Sequence, residues 1–241
     1  NDPANGVNNV TTSLFFAGLS SPSATSARAT GSWNLNGAPY SFTFNVITDR
    51  LYGYLERASP APLAGMFAIN TDGTGLVQDL TTNLGTVITG RRVLLLGAGG
   101  AARGALGPLL AEKPALLVLA NRTAAKAEAL AEHFAADGPV EGCGLTALAG
   151  CHFDLVINAT SASLGGEVPP LPADCYAPGA LAYDMMYGKG DTAFLAAARA
   201  AGVTRLADGL GMLVEQAAEA FFVWRGVRPV TQPVLEALRQ P

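Results

Sequence analysis

From Arg91 onward the chain repeats one pattern: a short continuous apolar run, then a turn, then apolar residues at helical spacing. "RRVLLLGAGGAARGALGPLLAEK" is such a unit, and "ALLVLANRTAAKAEALAEHFA" is the next. "FDLVINAT" predicts a third strand, and "GALAYDMMY" a fourth that leads to the helix "DTAFLAAARAAG". "TRLADG" then opens the long helix "LGMLVEQAAEAFFVWRG". Strands apolar on both faces, alternating with helices, predict a parallel sheet covered on both sides. The first 60 residues read differently. "ATGSWNLNGAPYSFTFNVI" alternates apolar and polar positions between turn signals, which predicts short strands, and "SPSATSARAT" over 21–30 reads as loop or a weak helix. The fold expected is α/β: a Rossmann-type doubly wound domain over 76–210, beside a smaller N-terminal α/β domain over 1–75 that the C-terminal helices of 211–241 complete.

Composition narrows the class. The 241 residues are 49% hydrophobic and 14% charged, with no apolar run of membrane-spanning length and no signal-peptide order at the start. A net charge of -4 and no basic stripe argue against nucleic acid. Cys143, Cys151 and Cys175 lack C-x-x-C spacing, which points to a reducing compartment, a cytoplasmic location and small buried residues. No cluster of residues suggests a metal.

The chemistry starts at Gly97-Ala98-Gly99-Gly100-Ala101-Ala102, a G-x-G-x-x-A turn after a strand and before a helix. Gly97 permits the tight turn, Gly99 lets backbone approach a pyrophosphate, and Ala102 leaves room for helix–strand packing. The helix N-terminus supplies free N–H groups and partial positive charge. At the end of the second strand, a site for NAD usually carries Asp or Glu for the ribose 2′-hydroxyl. Here stand Asn121, Arg122 and Thr123, with Lys126 one turn into the helix. Arg122 pairs with a 2′-phosphate where a carboxylate would repel it, so NADP is the expected cofactor. Thr123 is placed to cap the helix. For Lys126 the plainer reading, a solvated charge, is equally open.

With these residues in place, the chain from about residue 70 to its end resembles the shikimate dehydrogenase family. "NTDGTGL", "LLLGAGGAARGAL", "ANRTAAKAEAL", "VINATSA", "YDMMYGKGDTAFL" and "ADGLGMLVEQAAEAFFVWRG" follow that family's order and spacing. The resemblance implies reversible reduction of 3-dehydroshikimate to shikimate with NADPH, in a cleft between the two domains, by a monomer or homodimer. It makes Asp72 the catalytic carboxylate at the hydroxyl that becomes a carbonyl. The same likeness puts Asn158, Ala159, Thr160 and Ser161 along the cofactor, and Met185, Gly209 and Met212 near the nicotinamide. Ser21, Asn70, Tyr187 and Gln216 would meet the substrate. Taken alone, Asp72 reads equally as a cap for a helix starting near Gly73, Met185 as core, Tyr187 as a loop tyrosine and Gln216 as solvated.

The first 69 residues depart from the family. Its Ser-x-Ser-Pro stretch corresponds to Leu19, Ser21 and Pro22, with Leu in place of the first Ser. Its Asn-Val-Thr-x-Pro-x-Lys stretch corresponds to Asn45, Val46, Ile47, Asp49 and Leu51, so the catalytic lysine is absent. Arg50, next to that position, does not readily give up a proton. Divergence, an altered substrate domain, or a written sequence unlike the natural one before residue 70 would each account for this. Two further activities stay open: NADP binding with little turnover, and oxidation of quinate or another cyclic polyol acid.

Overall fold

The structure, a computed structural model, describes the backbone of 26–35, 38–47, 50–57 and 63–70, and from there residues 73–160, 168–188 and 190–239, without the side chains of 173 and 223–225. The chain parts into two compact units: Asn1–Thr71 with Gln216–Pro229, and Asp72–Glu215 with Val230–Pro241.

In the first unit four strands follow one another as an antiparallel meander: β1 (Ser26–Leu35), β2 (Ala38–Ile47), β3 (Arg50–Arg57) and β4 (Leu63–Asn70). Ser26 pairs with Ile47, Tyr40 with Arg57, and Arg50 with Asn70. One expectation changes here. Ser26–Thr30, read as loop or weak helix, belongs to β1, because a strand pairs through its backbone and needs no apolar side chains to do so. The described residues of this unit before 71 are all strand. The helical residues of this unit among those described are Gln216 onward in α5 below.

The second unit opens with α1 (Thr74–Gln78), which runs on as a π-helical turn over Asp79–Asn83. Its N-cap is Gly73, at φ 68. A Cβ there would stand 2.6 Å from the Gly104 carbonyl oxygen, so both the backbone angle and the close approach demand glycine. Then come β5 (Arg92–Leu96), α2 (Gly100–Ala111), β6 (Leu116–Asn121), α3 (Ala124–Phe134), β7 (Val140–Gly144), β8 (Phe153–Asn158) and β9 (Tyr176–Asp184). The unit continues with α4 (Ala193–Ala200), β10 (Arg205–Asp208), the first residues of α5 (Leu210–Arg225) and finally α6 (Gln232–Leu238).

The six strands β5 to β10 form a parallel sheet in the order β10-β9-β8-β5-β6-β7. Its central strands β5, β6 and β8 are apolar because both faces are covered. Val93 and Leu95 face a core with Leu76, Leu106, Leu109 and Leu130. Leu94 and Leu96, on the other face, join Phe153, Phe194, Leu195 and Ala198. Each fully buried Leu, Val or Phe among them contributes about 1.5–3 kcal/mol. The edge strand β7 was absent from the sequence reading. "VEGCG" has little apolar signal, and Gly142 is there because a Cβ would collide with the Ala127 carbonyl of α3. Burial pushes the Cys175 thiol up to about 11, with Cys151 and Asp174 adding to the rise, so at neutral pH it is a protonated core residue.

Candidate functional site

The strand order reverses between β5, which continues to β6, and β8, which continues to β9. At that switch point the carboxyl ends of an open parallel sheet leave a crevice for ligand. Gly97 lies there at φ 104, buried, its N–H donating to the Ala120 carbonyl at 2.8 Å. A Cβ on it would stand 3.1 Å from the Ala159 carbonyl oxygen and 3.2 Å from Thr160 Cγ2. The turn is thus glycine for conformation and for its approach to the end of β8. Ala98 is half-buried against the core, and Ala102 is fully buried under the helix. Gly99, Gly100 and Ala101 are exposed, and a Cβ on Gly99 or Gly100 would meet nothing within 4 Å. Gly99 is the N-cap of α2 and no side chain caps it. The N-terminus of α2 thus has open space beside it and no side-chain cap at the switch point, an arrangement that suits a phosphate.

The ladder runs one residue past the strands. Ala159 N–H donates to Leu96 O at 2.9 Å, Met185 N–H to Asn158 O at 3.0 Å, and Gly209 N–H to Met186 O at 3.0 Å. These bonds place Gly97, Ala159, Met185 and Gly209, singled out from sequence, side by side along the carboxyl edge. Gly209 sits so close that a Cβ would collide with the Met185 carbonyl. Met185 is half-buried against the core, Met212 is 8% exposed within it, and Tyr187 is 48% exposed.

At the end of β6, Arg122 and Lys126 are exposed, and neither makes an ion pair among the described residues. Thr123 is the N-cap of α3, but its side chain accepts no capping hydrogen bond, contrary to expectation. Asn121 Nδ2 donates to the Thr123 carbonyl at 3.0 Å, which fixes the turn but caps no helix N–H. Ser21, Asp72 and Ser161 lie outside the described residues, and of Asn70 only the backbone, the last residue of β4, is described. Gln216 is half-buried within α5. The N-cap of α1 is Gly73, the residue after Asp72.

Two buried polar clusters were not singled out from sequence. Asp184, fully buried, accepts from Asn158 Nδ2 at 3.0 Å, from Met186 N–H at 3.1 Å and from Thr192 Oγ1 at 2.5 Å. Asn158 Oδ1 in turn accepts from Thr160 N–H at 3.1 Å and Thr160 Oγ1 at 2.7 Å. In the other cluster, Asp79 Oδ2 accepts from the Tyr183 hydroxyl, and Asn83 Nδ2 bridges Asp79 Oδ1 at 2.9 Å and Glu215 Oε1 at 3.2 Å. Burial pushes the Asp79 carboxyl up, against the hydrogen bonds from Tyr183 and Asn83. A buried carboxylate has the same letter as a surface one, so the only sequence signal was the placement of Asp184 at the end of an apolar strand. No group of three or more His, Cys, Asp or Glu among the described residues is arranged to hold a metal, and no described helix is long and apolar enough to cross a membrane.

A glycine turn at the switch point of this strand order defines the Rossmann class of dinucleotide-binding folds. Residues 79–165 match the family described as Shikimate / quinate 5-dehydrogenase, and 209–239 the Shikimate 5'-dehydrogenase C-terminal domain. A Dechloromonas aromatica protein named shikimate dehydrogenase (NADP(+)) is 64% identical over 174 residues, covering 72% of this chain and 64% of that one. One of the same name from Alkalilimnicola ehrlichii is 52% identical over 217 residues, covering 88% and 80%. The crystal structure of an Ael1 enzyme from Pseudomonas putida superposes with a TM-score of 0.65 at 51% identity, covering 78% and 68%. The chain belongs to the shikimate dehydrogenase family. Its match spans just under two thirds of several of these relatives, 64%, 62% and 62% of their lengths.

Proposed function

We propose that this chain is an NADP-dependent shikimate dehydrogenase, catalysing reversible reduction of 3-dehydroshikimate to shikimate. The observation that carries the reading is the open, uncapped glycine turn at the switch point with Arg122 exposed at the end of the neighbouring strand. The residues present fit the cofactor. Gly99 and Gly100 leave room for a pyrophosphate, and the α2 amides would hold it. Arg122, with Lys126, would hold the 2′-phosphate that excludes NAD. Asn158 to Ser161, Met185, Gly209 and Met212 would border the nicotinamide end. NADPH supplies hydride when bound. The chain supplies the proton partner: Asp72 would accept the substrate hydroxyl's hydrogen bond and orient it. Ser21, Asn70, Tyr187 and Gln216 would fix the ring's carboxylate and hydroxyls.

The relatives' printed names support both cofactor and substrate. The division proposed is a substrate domain over 1–75 completed by 211–241, and a cofactor domain over 76–210. The three free cysteines favour a cytoplasmic protein, and the reading takes it as a monomer or homodimer, as the resemblance implies. The test is a titration with NADP and NAD, followed by an assay with shikimate and NADP. Tighter NADP binding with shikimate-dependent reduction supports the reading; NAD binding as tightly, or no NADP binding, ends it.

A second reading has its own observation. No lysine precedes Lys113, so the family's lysine has no counterpart near its place. NADP binding without turnover of shikimate or quinate would establish a binding protein in its stead.

A further inference from the structure

We propose that Asp184 and Thr192 are positioning residues: through one buried carboxylate they set both segments that border the nicotinamide end in the reading above, on which this inference rests. Asp184 gathers donors from three places. Asn158 Nδ2 comes from the end of β8, Met186 N–H from the loop after β9, and Thr192 Oγ1 from the N-cap of α4. The carboxylate is fully buried, so these charge-assisted bonds act in a medium where they are strong and geometrically demanding.

Each bond has a consequence further on. Because Asn158 turns its Nδ2 to Asp184, its Oδ1 must face Thr160, where it holds the backbone N–H and the hydroxyl. The 158–160 turn is therefore fixed from behind. The bond from Met186 N–H fixes the backbone that presents Met185 on one side and Tyr187 on the other, and Met186 O accepts from Gly209. Thr192 completes the clamp. Its hydroxyl donates to Asp184 and accepts from Leu195 N–H at 3.3 Å, tying the clamp to the first turn of α4. Neither Asp184 nor Thr192 touches ligand; both act through Asn158, Thr160 and Met186.

Three variants and two readouts test this. Thr192→Val keeps the shape and removes the hydroxyl, Thr192→Ser restores the hydroxyl, and Asp184→Asn removes the charge. In the free protein, amide exchange of peptides covering 185–188 should quicken about tenfold in Thr192→Val and Asp184→Asn, one hydrogen bond's worth, and stay at the parent rate in Thr192→Ser. Peptides from β5 and β6 should stay protected in all three. NADP binding should weaken about tenfold in Thr192→Val, while adenosine 2′,5′-bisphosphate, which lacks the nicotinamide end, binds as to the parent. A merely structural role would weaken both ligands alike or neither. Unchanged exchange at 185–188 in Thr192→Val, or equal weakening of NADP and the fragment, overturns the proposal. If Asp184→Asn does not fold, the Val and Ser pair at 192 decides. If the parent binds neither probe, the cofactor reading fails separately, and the exchange comparison still decides whether Thr192 holds the segment.

Discussion

The Tyr183 hydroxyl donates a 2.7 Å hydrogen bond to Asp79 Oδ2, and both side chains are buried. It ties the π-helical turn after α1 to the end of β9 across 104 residues of sequence. Tyr183→Phe keeps the ring and leaves the carboxylate short of a donor. Losing a bond to a charged, buried acceptor should cost about 1.5–3 kcal/mol, read as a lower urea midpoint with unchanged slope.

The same carboxylate gives a pH dependence. Burial raises the Asp79 pKa above its unfolded value of 3.8, so the folded state binds the proton more tightly than the unfolded chain. Its contribution to stability is then fullest below the unfolded pKa and is lost as pH rises through the folded one. Urea unfolding at intervals from pH 4 to 7 should show the parent losing ground relative to Asp79→Asn as pH rises. A gap between the two that is constant across the range would show that Asp79 does not titrate above its ordinary value.

Arg122→Ala should weaken NADP by about ten- to a hundredfold and leave NAD nearly unchanged, since one charge-assisted bond to the 2′-phosphate is lost. Calorimetry with both nucleotides measures this directly. Equal losses for NADP and NAD would move the 2′-phosphate elsewhere.

Gly99→Val should abolish NADP binding and leave the circular dichroism spectrum and melting temperature near those of the parent. The free protein has space at this position, and its φ of -94 suits any residue. The side chain would occupy the space of the pyrophosphate. Normal binding in the variant would take the cofactor away from this turn.

Asp72→Asn should lower shikimate oxidation by about two to four orders of magnitude, the usual worth of general acid–base help, with melting temperature little changed. The amide keeps the shape of the carboxylate and an oxygen that can still accept a hydrogen bond from the helix start, so the fold should survive the change. Turnover at the parental rate in the variant would remove Asp72 from the chemistry.

The parts of the fold that were legible in sequence are those where burial leaves a mark. β5, β6, β8 and β9 are apolar on both faces, and Gly97 and Ala102 are forced by geometry. β7 was not legible, because "VEGCG" is held by backbone pairing and by the room Gly142 leaves for α3. β1 began inside a Ser- and Ala-rich stretch for the same reason. In the candidate site, Gly97, Ala159, Met185 and Gly209 were named before their adjacency was visible. Asp184, Thr192, Asp79 and Tyr183 were missed, because what makes them matter is a hydrogen bond to a residue distant in sequence. Thr123 shows the converse: a residue type suited to capping stands at the cap position, and its side chain makes no capping bond.

The strand order also dictates when the nucleotide turn can exist. Its central pair joins Val93 to Leu155 and Leu96 to Asn158, with α2, β6, α3 and β7 all lying between in sequence. Non-local parallel pairing of this kind forms slowly, because the intervening loop must be closed before the contacts repay it. Gly97 rests on the far partner of that pair, against Ala159. A refolding chain is therefore expected to gain its helices and the β5–β6 pairing before β8, and with β8 its ability to hold nucleotide. Stopped-flow refolding should show helical signal ahead of NADP binding, with the nucleotide acting as a late trap for the finished sheet.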